Sequence, residues 1–143
     1  MKRLFLVLFV FGFISCSADK KQQDKKLIEQ MERSTLSDVK VISYEKADSL
    51  INGYLNYVKN YPEDSLCATY LYRAADVYAN TKRCIESIKT YDRLIAEYPD
   101  NVLVESAYFL KGIVFSQTCL NKEKAAEAFN LFIEKYPNAN LCD

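Results

Sequence analysis

The chain has 143 residues, half of them hydrophobic, with only three Gly and three Pro; so few turn formers exclude a sandwich of short strands and predict one all-α domain with a modest core. Nineteen basic residues balance nineteen acidic ones, which leaves no global field to draw nucleic acid. Histidine is absent, removing the usual general base and the commonest metal ligand, so no enzyme, cofactor or metal site is expected.

In chain order, Met1-Lys2-Arg3 is a basic start and residues 4–14 are an unbroken apolar run. At 1.5 Å per residue that run covers roughly 16 Å, about half a hydrocarbon core, which predicts an export signal over residues 1–15 rather than a spanning helix. Phe13-Ile14-Ser15-Cys16 resembles the lipobox of bacterial lipoproteins, in which a small residue precedes the cysteine that is lipidated and becomes the new N-terminus. Phe13 stands where that family prefers Leu, and the alternatives are an ordinary signal peptide with an incidental cysteine or a buried helix. The resemblance implies a lipid anchor on Cys16, with several acyl chains giving durable attachment to a membrane the mature chain does not cross. Ser17 after the cysteine suits outer-membrane delivery by the same resemblance. Asp19 is followed at once by Lys20 and Lys21, which favours the periplasmic face over the cell surface.

Residues 17–43 mix charges without a strong apolar face. Leu27, Ile28 and Met31 could line one side of a short helix, but the stretch reads mainly as a polar tether reaching on the order of 30 Å. From residue 45 the pattern sharpens. Ala47, Leu50, Ile51, Tyr54, Leu55, Val58 and Tyr61 fall at helical spacing, and Pro62 ends the run because proline disfavours helical backbone before it. No partner helix is evident upstream, so 45–61 is expected to stand alone at the front of the domain.

Tyr61-Pro62, Tyr98-Pro99 and Tyr136-Pro137 recur at spacings of 37 and 38 residues, the mark of a solenoid whose helix pairs bury their faces by stacking. Asp64 and Ser65 can cap a helix over 66–80, with Leu71, Ala75 and Tyr78 inward; a turn at 81–83 leads to Ile88, Tyr91, Leu94 and Ile95. Asp100 and Asn101 can cap the next helix, with Leu103, Ala107, Phe109, Leu110 and Val114. Asn121 then marks a turn before Ala125, Ala128, Phe129, Phe132 and Ile133.

Leu71, Ala75, Tyr78, Ser87, Tyr91 and Pro99, then Tyr108, Gly112, Phe115, Ala125, Phe129 and Pro137, resemble the large, small and aromatic positions of the tetratricopeptide repeat, the second set with one extra residue in its turn. The resemblance implies a helix-turn-helix solenoid of about five helices: the lone second-type helix 45–61, then repeats 65–99 and 102–137. With the lipobox, the chain is similar to small tetratricopeptide lipoproteins of Bacteroidota. More distantly it resembles the outer-membrane assembly lipoprotein and the Tol-Pal coordinator protein. These imply an envelope scaffold binding a protein or peptide partner; a structural or self-associating lipoprotein is the alternative. Such relatives continue beyond the last proline, so the outer flank of helix 123–135, with Phe129 and Phe132, is expected to take a second copy or a partner helix.

In such repeats a groove is lined by fixed positions of each first helix, here Thr69, Tyr72, Asp76, Ala79 and Asn80, then Ser106, Phe109, Ile113, Ser116 and Gln117. The set mixes aromatic anchors with hydrogen-bonding groups suited to a peptide, while Tyr72 and Phe109 can equally be packing residues. Of Cys67, Cys84, Cys119 and Cys142, the repeat register puts Cys84 and Cys119 near one edge, candidates for a disulfide or for buried free thiols. Asp48-Ser49-Leu50 and Asp64-Ser65-Leu66 resemble the O-glycosylation motif of exported Bacteroidota proteins, which would make Ser49 and Ser65 acceptors; capping explains Ser65 equally well.

Overall fold

The computed structural model describes residues 8–36 and 43–139, with side chains for 19–35 and 43–139. Among them are six α-helices: α1 (Leu8–Leu36), α2 (Tyr44–Asn60), α3 (Leu66–Asn80), α4 (Cys84–Glu97), α5 (Leu103–Ile113) and α6 (Lys122–Lys135). A π-helical turn, Val114–Thr118, follows α5. Consecutive helices pack on one another, and α5 also touches α3. This is an all-α solenoid. None of the described helices is long and apolar enough to cross a membrane.

Helix starts follow from short polar side chains that take up orphan backbone N–H groups. The Ser43 hydroxyl accepts from Lys46 N at 3.3 Å, and the Asn121 amide oxygen accepts from Lys124 N at 2.9 Å. Asp64 and Asn101, one repeat apart, accept from Leu66 N at 2.8 Å and Leu103 N at 3.0 Å. The Ser65 hydroxyl makes no capping bond, so the capping expected of the Asp64-Ser65 pair falls to Asp64. Helix ends are equally regular: Tyr61, Tyr98 and Tyr136 close α2, α4 and α6 in nearly one conformation, φ −136°, −133° and −129°. Each donates its N–H to the carbonyl four residues back, and the following proline stops the helix.

The core runs along the seam between helices. Leu50, Tyr54, Leu71, Ala75, Tyr91 and Leu94 are fully buried, as their spacing predicts. At the small positions the helices of each pair come close. In the α3–α4 pair the Ser87 hydroxyl donates to Ala75 O at 2.9 Å. In the α5–α6 pair a Cβ on Gly112 would lie 2.5 Å from the Phe129 ring, so only glycine fits. The extra residue of the second repeat is taken up in the π-helical turn, where Cys119 N bonds Val114 O and Asn121 N bonds Phe115 O, both at 2.9 Å. Lys82 and Leu120, at the matching turns, both adopt left-handed backbone, φ 62° and 55°.

The expectation of a tether over 17–43 and of a lone front helix is corrected. Helix α1 runs through Leu36 and packs against α2, and Ile28 and Thr35 are each only 2% exposed. The contact is largely polar. Tyr54 OH donates to Glu32 Oε1 and Tyr61 OH to Asp24 Oδ2, both at 2.7 Å, while Lys21 and Lys25 pair with Asp64 at the start of α3. Helical lysine, glutamine and glutamate carry the chain to these partners. The six described helices therefore exceed the five expected, and residues 37–42 of the supposed tether lie outside the described residues.

Candidate functional site

Helices α3 and α5 lie side by side, and between them opens a cavity of about 200 Å³. Asp76, Ala79 and Asn80 come to it from α3, Ile113 from α5 and Gln117 from the π-helical turn. The structure thus brings together one half of the groove positions expected from sequence. Thr69 and Ser106, both half-buried, and the exposed Ser116 do not line it. Phe109 does not line it either: its ring packs against Phe129 and Phe132, with centroids 5.7 Å and 5.5 Å away, so it serves the interior of the second pair rather than anchoring a ligand. Tyr72 is half-buried and meets Tyr91 edge-on at 5.8 Å, and it does not line the cavity.

Sequence reasoning missed Tyr91, Leu110, Lys82 and Thr118 as lining residues. Tyr91 belongs to a second helix and was placed in the core, where its ring indeed lies fully buried. Its hydroxyl nevertheless passes between the first helices and donates to Asp76 Oδ1. A signal existed, since a tyrosine rather than phenylalanine at a buried position needs a partner for its hydroxyl. Burial pushes the Asp76 carboxyl above the usual carboxylate range, with the Tyr91 hydrogen bond opposing it, and burial beside Asp76 pushes Tyr91 up as well. The cavity therefore presents a poorly solvated carboxylate among amide and hydroxyl groups.

At one end of the cavity the chain is stapled. Cys84, the first residue of α4, and Cys119, which ends the π-helical turn, are joined by a disulfide with Cα atoms 5.3 Å apart. Lys82, two residues before Cys84, and Thr118, next to Cys119, line the cavity, so the bond joins the two repeats beside it. Cys67 is a free, buried thiol donating to Tyr61 O at 3.0 Å, and Cys142 lies outside the described residues. Cys16 falls within α1 by backbone, but its side chain lies outside the described residues.

A wider cleft of about 650 Å³ lies at the opposite end of the helices, between the Tyr-Pro turns after α2 and α4. Glu63, Asp64, Glu97 and Asp100 edge it, and Tyr98 OH crosses it to donate to Pro62 O at 2.9 Å. Among the described residues no three Cys, Asp or Glu side chains gather as metal ligands. Ser49 and Ser65 are both exposed.

Residues 69–101 and 106–139 each match the tetratricopeptide repeat. The two matches are offset by one repeat, in the register that aligns Ala75 with Gly112. No curated protein sequence matches the chain.

Proposed function

We propose, from the premise that the chain carries two tetratricopeptide repeats, that it is a membrane-anchored scaffold holding protein segments in the bacterial cell envelope. Tetratricopeptide repeats mediate protein–protein interaction, and the observation that carries the reading here is the cavity between α3 and α5, where Asn80, Ile113 and Gln117 border open space beside Asp76. The reading places the anchor on Cys16, the location at the outer membrane facing the periplasm, and the service in outer-membrane assembly; its support is the basic, apolar and Ser15-Cys16 succession of the first sixteen residues. No reaction is assigned to the chain.

Pull-down from envelope extracts with the chain and with Asn80→Ala plus Gln117→Ala tests the groove. The double variant, which leaves the core intact, is expected to lose a partner that the parent retains; equal capture by both sinks the groove reading. Intact mass of the chain recovered from membranes tests the anchor, with acyl mass expected on the parent and absent from Cys16→Ser. The same spectrum reads any glycan on the exposed Ser49 and Ser65, which the variants Ser49→Ala and Ser65→Ala would remove.

A second reading, self-association through α6, has its own observation, and Phe129 and Phe132, expected on the outer flank, do not belong to it, since their rings pack inward on Phe109. Ile133 is 61% exposed and Leu131 40%, whereas Ile95, at the place of Ile133 in the preceding pair, is partly buried against the core. A second copy covering that flank would bury the same position. Sedimentation should show a concentration-dependent dimer that Ile133→Lys abolishes; a monomer throughout the range rules this reading out.

A further inference from the structure

A tyrosine–carboxylate contact forms at two tyrosines one repeat apart, and the second occurrence lacks one member. In front, Tyr54 of α2 donates to Glu32 Oε1 of α1 at 2.7 Å, and the guanidinium of Arg73 on α3 closes onto the same oxygen. One repeat further on, Tyr91 of α4 donates to Asp76 Oδ1 of α3. The register that sets Ala75 on Gly112 sets Tyr54 on Tyr91 and Arg73 on Leu110. Leu110 lines the cavity and offers no charge.

Asp76 therefore has its tyrosine and no cation. Among the described residues no ion pair reaches it. Lys82 stands at the border of the same cavity, exposed and without an ion pair to Asp76. A carboxylate withdrawn from water with a single hydrogen bond is left with unused acceptor capacity, and a cation entering beside it recovers part of the lost solvation. Burial holding the Asp76 carboxyl above its usual range agrees with this. The side-chain amides of Asn80 and Gln117 and the hydroxyl of Thr118 also line the open volume, and each carries an oxygen able to accept from a group with several N–H donors.

We propose that the cavity beside Asp76 takes the guanidinium of an arginine side chain on a bound protein segment, which does for Asp76 what Arg73 does for Glu32. The inference rests on the groove reading given above and names the chemistry of its ligand. Lysine is the weaker occupant, since an ammonium cannot meet a carboxylate and amide oxygens in one plane as a guanidinium fork does.

Two probes test it on the full, disulfide-bonded chain. N-acetylarginine amide, titrated by NMR, is expected to shift the Asp76, Asn80 and Gln117 signals and to lower the Asp76 carboxyl pKa, while N-acetylcitrulline amide, neutral and nearly isosteric, does neither. Degenerate decapeptide pools with arginine, citrulline or alanine fixed at the centre are expected to bind with an arginine preference of roughly tenfold or more, lost in Asp76→Asn. Leu110→Arg supplies the guanidinium from within the chain; it is expected to raise the melting temperature and abolish the arginine preference, while Leu110→Met changes neither. Equal binding of arginine and citrulline pools overturns the proposal and leaves the groove reading standing. Arginine amide shifts with no pool bound overturn the groove reading and uphold the cation site. No shift with arginine amide overturns the proposal outright, whatever the fate of the Leu110 variants.

Discussion

The two repeats share one register and pack in different ways. In the first, Ala75 and Ser87 meet through a hydrogen bond, the aromatic wall is two tyrosines, and α2 packs on α3 while α5 packs on both helices of the pair. In the second, Gly112 meets the face of Phe129, the interior is a cluster of Phe109, Phe129, Phe132 and Tyr136, and only Ala125 and Phe132 of α6 are buried. A common pattern of large and small residues thus specifies where helices touch, while the number of neighbours decides how much each contact stabilises. The second repeat, with fewer helices packed on it among the described residues, is the one that carries a π-helical turn, and a disulfide ties it to the first.

The largest break in that comparison comes from the disulfide. Reduction, or Cys84→Ser with Cys119→Ser, is expected to cost about 2–4 kcal/mol and to let the second repeat melt before the first; thermal unfolding followed by circular dichroism with and without reductant reads both, and a single unchanged transition would count against it. Gly112→Ala comes next, at about 1–3 kcal/mol, because the added methyl meets the Phe129 ring instead of space. The substitution at the equivalent position, Ala75→Gly, adds no clash and should cost about 1–2 kcal/mol, from lost helix propensity and one buried methyl. Denaturant midpoints for the two variants give the contrast directly.

Leu120→Gly has the opposite sign. Leu120 holds a left-handed backbone with its side chain exposed, so glycine is expected to stabilise the second repeat by about 0.5–1 kcal/mol. A chemical-denaturation midpoint that fails to rise refutes it.

The smallest effect is the response to acid. Asp64 and Asn101 cap equivalent helices, but only Asp64 titrates. Burial raises its pKa, and the pairing with Lys21, the Leu66 N–H and Lys25 outweighs this, bringing it down to about 2. A carboxyl held below its unfolded value near 3.8 contributes stability that is full above about pH 4 and is lost as pH falls towards about 2. Hydrogen exchange across that window should therefore loosen the α1–α3 contact and the start of α3 while the Asn101 cap keeps its protection. The chain has no tryptophan, so an amide-resolved method is the suitable readout.

Much of this architecture was legible in the residues. Tyr98-Pro99 and Tyr136-Pro137 mark true helix ends, Ala75 and Gly112 are true close approaches, and the one-residue surplus in the second repeat is the residue that the π-helical turn absorbs. Helix α1 was not legible, because its side of the contact with α2 is made by Asp24, Glu32, Lys21 and Lys25 around a thin apolar edge of Ile28 and Met31. Such residues read as solvated charge until their partners are known. The groove was half legible: Asp76, Asn80, Ile113 and Gln117 converge, whereas Phe109 turned inward because α6 presents Phe129 and Phe132 to it.

The sequence by itself determined the register, the helix type and the places where small residues let backbones approach, since apolar periodicity and turn chemistry act over a few residues and leave their mark locally. The tertiary structure alone decided that a polar segment serves as a helix of the solenoid, and it chose the disulfide where the register had left Cys84 and Cys119 open between a bond and free thiols. It also decided that, among the described residues, Glu32 pairs with an arginine and Asp76 does not. These depend on contacts between helices separated by 15 to 41 residues, made by polar side chains whose spacing follows no period and whose electrostatic partners only the packed chain supplies.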